Sequence, residues 1–437
     1  MASIWEAEVP WSTVGICGGH SGDLLFEYVG MLPRIDEIVA DWNFIGQFIM
    51  NHEKPQAWFE EHGKILNPTK DTSHFAPSSE RRQARGLTKS AGTRFGSSYP
   101  LGDSLTVTKP SLVATVNDSR WSPFMTVQTY KDDSRRVKDL INDDDWWEAS
   151  DATLNIFKPL WKLIRTGDSN IAAMDIIYRD WSDVSDKVKA AAEAAEGLEF
   201  FSSYPNTAVN TTLANTAAGK YGLKRAQTQT LSQDCVLLCQ NRFGYAYNHY
   251  WGAGYALAPA CIDVDHDEVD EEVMDSLEIV CNRLWHNDVS KAAKAFREYK
   301  TVYKAANSPF KVPSRLANIG EMPAYLWWQL YERHAPELAY VAMHVLSKQV
   351  GVGPVERSHK KLKSVVATKH RNRLHEVNQQ RQVFVNMNGP ILRNVANPDY
   401  FEPWNHDESN SDTDEDSSSE EDVAAPTAAP TAASNSE

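Results

Sequence analysis

Apolar residues in this chain recur at three- and four-residue intervals along most of its length. They almost nowhere alternate, so the backbone it specifies is mainly helical. From Asp23 to His62 the spacing runs through Leu24, Phe26, Val29, Ile35, Ile38, Val39, Trp42, Ile45, Phe48 and Ile49, and Leu32-Pro33 predicts a break into two helices. Asp151–Trp181 reads as a further pair with Ile156, Leu160, Leu163 and Ile164 on one stripe. Val184–Phe200 is alanine-rich and helix-prone. Pro323–Arg333 is a helix rich in Trp and Tyr. Pro336 suits the first turn of the next, where Leu338, Val341, Ala342, Val345 and Leu346 make a one-sided apolar stripe. Gly351-Val-Gly-Pro354 ends it and opens another with Val355, Leu362, Val365 and Val366 inward. A last helix starts near Arg373 with Leu374, Val377, Phe384 and Val385 inward. Only Val14-Gly-Ile-Cys17 suits a strand.

The apolar share of 42%, with 14 Trp, 16 Tyr and 15 Phe, supplies a sizeable core and excludes a wholly disordered chain. The apolar runs are too short and too charged for a membrane span, and the first twenty residues lack a basic secretory leader. Five scattered cysteines make no disulfide framework, which points to a reducing compartment. Charge divides the chain. Residues 407–437 hold ten acids and no Lys or Arg, so the first 406 residues carry only −5 of the net −15. The tail is too polar to bury a core and is expected to be disordered. Ser409, Ser411, Ser417 and Ser418 precede acids, as acid-directed phosphorylation requires, but a solubilising tail is the simpler reading. Proline, glycine and Ser/Thr density predicts loop with a few short elements at 67–119, and Ser202–Gln233, polar and Asn/Thr/Ala-rich, reads as a further irregular stretch.

Four motifs bear on chemistry. Cys17-Gly-Gly-His20 is a CxxH, but the second pair of ligands a structural zinc needs is not at zinc spacing, so packing beside a strand end is the simpler reading. Asp263–Glu272 superficially resembles a calcium loop, yet Glu268 and Met274 stand where glycine and glutamate are required. It reads instead as the acidic start of a helix. Arg357, Lys360, Lys361, Lys363, Lys369, Arg371, Arg373 and Arg381 face one acid, Glu376; such a run suits phosphate contact, a nuclear address or a solvated face equally well. Glu356 follows Pro354-Val355, where a helix dipole favours a carboxylate.

These residues also carry a resemblance. Trp327-Trp328, Pro336-Glu-Leu338 through Leu346-Ser347, Glu356-Arg357, Arg371-Asn372-Arg373-Leu374 and Val383-Phe-Val-Asn-Met-Asn388 fall in the order and spacing of one pattern. Residues 324–396 thereby resemble the C-terminal dimerisation region of hAT-family DNA transposases. Upstream, Cys17–His20 is similar to the family's CxxH, Thr93-Arg94-Phe95 to its TRF element, and Leu160–Asp168 with Tyr178 to a segment of its helical insertion. Arg242-Phe243, His249 and Ala258-Pro259 extend the likeness.

The resemblance implies a mainly α chain: the C-terminal remainder of an RNase H-like core with a large helical insertion and an acidic tail. It divides into a residual strand with following helices at 1–66, a linker at 67–119, a helical insertion at 120–320, a dimerisation region at 321–398 and the tail at 399–437. The family cuts DNA with two Asp and one Glu holding two divalent metals. Glu356 matches the Glu. Both Asp precede CxxH in the family, and none of the sixteen residues before Cys17 is Asp. One carboxylate does not hold a metal pair. The expectation is therefore a self-associating, catalytically inactive relative with no cofactor. The alternatives are a DNA- or chromatin-binding regulator, or a piece of a cutting enzyme that would use Mg²⁺ or Mn²⁺ through Glu356. Expected dimer contacts are Trp327, Trp328, Leu338, Val341, Val345, Leu346, Leu374 and Phe384; the alternative is that the Trp327/Trp328 helix and the Leu338–Leu346 stripe pack only within the chain. Expected partners are a second copy and DNA, with neither membrane nor small-molecule cofactor, and the expected location is the nucleus.

Overall fold

The computed structural model describes residues 16–66, 86–88, 95–168, 173–204, 230–264 and 271–351, with positions 378 and 381. Among the described residues there are fourteen helices of eight residues or more and no strand beyond one isolated bridge, Ile319 to Met322. No helix among them is long and apolar enough to cross a membrane.

The first helices follow the apolar spacing. α1 (Gly18–Gly30) and α2 (Ile35–Asn51) are separated at Leu32-Pro33 as the sequence predicts. His52 then breaks the chain again, and α3 (Glu53–Leu66) accepts Pro55 in its first turn, so this region holds three helices rather than two. The expected linker at 67–119 likewise contains α4 (Ser98–Val107) and α5 (Lys109–Val116). Pro100 and Pro110 misled the reading: each sits in a first helical turn, where the missing N–H costs nothing.

The organising element is α7 (Asp144–Asp168), reached after α6 (Lys131–Ile141). Its Ile156, Phe157, Leu160 and Leu163 are buried, as the stripe required. α1 packs along one side of it, with Phe26 and Phe157 rings 4.2 Å apart, and α8 (Met174–Glu196) packs along another. Trp42 of α2 closes the top by donating its indole N–H to Ser150 Oγ at 2.7 Å. α9 (Leu231–Ala246) starts at a capping box made by Thr230 and Gln233, and lies on α8 and α1.

The second half wraps α8. α10 (His249–Leu257), α11 (Glu271–Leu284) and α12 (Val289–Glu298) pack in succession, and Trp181 stacks on Trp251 at 6.0 Å to join α8 to α10. Glu271 and Glu272 occupy the first turn of α11, so the described part of the acidic run is a helix start, as read. α12 runs on into a π-helical turn, Tyr299–Tyr303, which points both tyrosines into the core. α13 (Ala324–Tyr331) and α14 (Pro336–Leu346) complete the body. The strand expected at Val14–Cys17 is not present at Ile16 and Cys17; Val14 and Gly15 lie outside the described residues.

Truncating Ile156 to Ala leaves a cavity between α1, α7 and α8. It should cost about 2–4 kcal/mol in chemical denaturation; a loss under a quarter of that would show that α7 is not central. Asp175, in the first turn of α8, gives a pH signature. Burial raises its carboxyl from 3.8 to about 6, with Arg179 opposing. A raised acid leaves stability intact below the unfolded value and erodes it as pH climbs through the folded one. Stability should therefore fall between about pH 4 and 6. Asp175→Asn should flatten that fall and gain about 1–2 kcal/mol at pH 7, read from melts across pH.

Candidate functional site

The CxxH motif forms a helix start. Cys17 is extended and caps α1, its Sγ accepting the His20 backbone N–H at 3.5 Å, while the His20 side chain is exposed. Both motif residues are thereby accounted for by the turn itself. Among the described residues no group of three or more His, Cys, Asp or Glu is placed to hold a metal.

Three stretches of backbone meet at this turn. Gly18 N–H donates to Val350 O at 3.2 Å, bringing the segment after α14 onto the first turn of α1. Gly167, at the end of α7, abuts Gly19. A Cβ on Gly167 would overlap the Gly19 backbone nitrogen, and one on Gly351 would overlap the Gly167 carbonyl oxygen. Only glycine allows so close an approach. Asp168 brings its carboxylate to Gly19, at the positive end of the α1 dipole, a turn that has no acid of its own.

The other segments that resemble the family converge on the same helix. Asp23 Oδ1 accepts the Gly96 N–H at 3.2 Å, which docks the turn following Thr93-Arg94; Thr93 and Arg94 themselves lie outside the described residues. Buried Arg242 donates from Nε to Ser21 O at 3.3 Å. Thr166 donates to Asp180 at 3.0 Å and holds the end of α7 on α8. Farther along, Ser276 Oγ bridges Tyr247 Oη at 2.6 Å and His249 Nδ1 at 3.0 Å. Ser276 is fully buried while Tyr247 and His249 are half-buried, and the trio braces α10 against α11.

The C-terminal residues are placed differently from expectation. Trp327 and Trp328 are buried: Trp327 Nε1 donates to Arg315 O at 3.0 Å and Trp328 Nε1 to Leu257 O at 2.8 Å. Phe310 packs on both indoles, and Tyr303 lies 4.7 Å from Trp328 while donating to Ala258 O at 3.1 Å. Leu338, Val341, Val345 and Leu346 are also buried, against α10, α11, α12 and α13 of the same chain. These six side chains were expected to meet a second copy. In the single chain they are buried, the other arrangement the sequence left open, because the stripe that makes α14 amphipathic faces its own neighbours.

A charged latch fixes α14. Glu298 of α12 accepts the Leu338 N–H at 2.9 Å in the first turn of α14, and Lys294 bridges to Glu337 at 2.8 Å. Burial raises the Glu298 carboxyl, and the Lys294 hydrogen bond lowers that of Glu337. Pro336 at the helix start lacks an N–H, so one carboxylate serves a donor that the helix leaves orphaned.

Sequence reading passed over Gly167, Gly351 and Asp168 as junction residues, and Leu326 and Leu330 as the outward face of α13. The signal for the last pair was present: seven of the eight α13 residues are apolar, too many for one buried stripe. Glu356, Leu374, Phe384 and the basic residues Arg357, Lys360, Lys361, Lys363, Lys369, Arg371 and Arg373 lie outside the described residues.

Compared with known families, residues 303–388 match the hAT family C-terminal dimerisation region. The match begins at Tyr303, the hydroxyl that ties this region to Ala258. No curated protein matches the chain.

Gly167→Ala should lose about 2 kcal/mol or more, because the added methyl meets backbone. Gly244→Ala, in α9 with nothing within 4 Å of the added atom, should gain about 0.5–1 kcal/mol. Equal effects in urea melts would remove the seam from the account.

Proposed function

We propose that this chain, which carries a hAT family C-terminal dimerisation region at residues 303–388, acts as a self-associating protein derived from a hAT transposase. The match to that region carries the reading. Its support in the structure is that the described part of the region is integral to a folded body through Trp328, Tyr303 and Glu298, and so presents a surface fixed in shape.

In this reading the helices upstream are the helical insertion that the family resemblance implies. The run from Arg357 to Arg381 is the DNA-contacting element of this proposal, and a nuclear location goes with it. Of the three carboxylates the family uses to hold its metals, Glu356 has the one counterpart in this sequence. A single carboxylate does not fit a metal pair. In this reading the chain associates through its C-terminal region and contacts DNA through the basic run.

The full chain should sediment as a dimer at low micromolar concentration, and a monomer mass would sink the proposal. DNA binding should weaken steeply between 50 and 200 mM salt, with a log–log slope near the number of phosphates contacted (roughly three to six for this run). A flat salt response would remove DNA as a partner. Incubated with supercoiled DNA and Mg²⁺ or Mn²⁺, the chain should leave it intact. Nicking that disappears in Glu356→Gln would establish a cutting enzyme instead.

A further inference from the structure

Helix α13 is apolar on every side, with Gln329 its single polar residue. A soluble helix of that composition is normally covered all round. Here one side is covered from within: Trp327 and Trp328 are buried and donate to Arg315 O and Leu257 O. Among the described residues nothing covers the opposite side. Leu326 is 38% exposed and Leu330 57%, one helical turn apart on one face, with exposed Gln329 beside them.

The ends of this helix carry opposite charges. Glu321 precedes it by three residues and Arg333 follows it by two; both are exposed, Arg333 donates from Nε to the neighbouring His334 Nε2 at 3.3 Å, and neither forms an ion pair among the described residues. A two-fold axis across the middle of the helix exchanges the two ends. An antiparallel copy therefore sets Leu326 against Leu330 of the second copy, brings Gln329 near the axis, and brings the Arg333 end of one helix to the Glu321 end of the other, within two residues of exact register. That self-complementarity is what an isologous contact requires.

We infer that the outward face of α13, Leu326 and Leu330 flanked by Glu321 and Arg333, is where a second copy of this chain docks, in antiparallel two-fold pairing. The inference rests on the self-association proposed above and names its surface, which is not the buried tryptophan and α14 stripe. A stable dimer buries about 800 Å² on each partner, so the two leucines anchor the contact and do not make up its whole area.

Sedimentation of the full chain tests it. Leu330→Asp should raise the dimer dissociation constant about tenfold or more at unchanged helicity by circular dichroism. Glu321→Arg should weaken the dimer, and adding Arg333→Glu should restore it. If Leu330→Asp folds poorly, Gln329→Cys serves instead: with diamide as the oxidant it should give a disulfide-linked dimer that the parent chain does not. A dimeric parent whose Leu330→Asp variant stays dimeric and folded, or whose Gln329→Cys variant does not cross-link, overturns this surface while leaving self-association standing. A monomeric parent overturns both.

Discussion

One backbone hydrogen bond, Gly18 N–H to Val350 O, closes the body of this protein. It joins the first described helix to the segment that follows the last, and Gly167 is wedged between them. Every helix from α1 to α14 lies in the chain between those two partners. The bond forms only because glycines at 18, 19, 167 and 351 let three backbones approach to where side-chain atoms would otherwise stand. Such contact places amide dipoles against carbonyl oxygens and lets the Asp168 carboxylate reach the positive end of α1.

That closure gives the CxxH motif a physical account. Cys17 turns the chain into α1 and His20 is its exposed flank. The first two turns of the same helix are where Gly96, the end of α7, Arg242 and Val350 are all tied down. Segments far apart in the chain that resemble one family thus share one neighbourhood. Helix packing brings them there; hydrogen bonds involving main-chain atoms fix Gly96, Arg242 and Val350 to α1, and the end of α7 abuts it at Gly167.

The C-terminal region shows how an association module can also be core. Trp327, Trp328 and the α14 stripe complete the packing around α10 to α12, and the Lys294–Glu298–Glu337 latch locks α14 to α12. Region and body hold each other's shape. Among the described residues of the region, Leu326 and Leu330 on the reverse side of α13 stand at the surface.

Much was legible without the fold. Apolar spacing gave the helices around Ile38–Ile49, Ile156–Ile164 and Leu338–Leu346, because burial of one stripe is imposed locally by a period of 3.6 residues. Pro33 and Pro336 marked true boundaries for the same local reason. Pro100 and Pro110 misled, since a proline's effect depends on its place in a turn that sequence does not specify. Likewise the stripe of α14 announces that it must be covered, and does not say by what. Period and composition determined that this chain is helical and that residues 324–346 bury apolar surface. Only the tertiary structure decided that its own helices do the covering, that four glycines meet at one seam, and that Leu326 and Leu330 are left outside. Those outcomes depend on which distant segments arrive at each face, and local residue spacing holds no record of that.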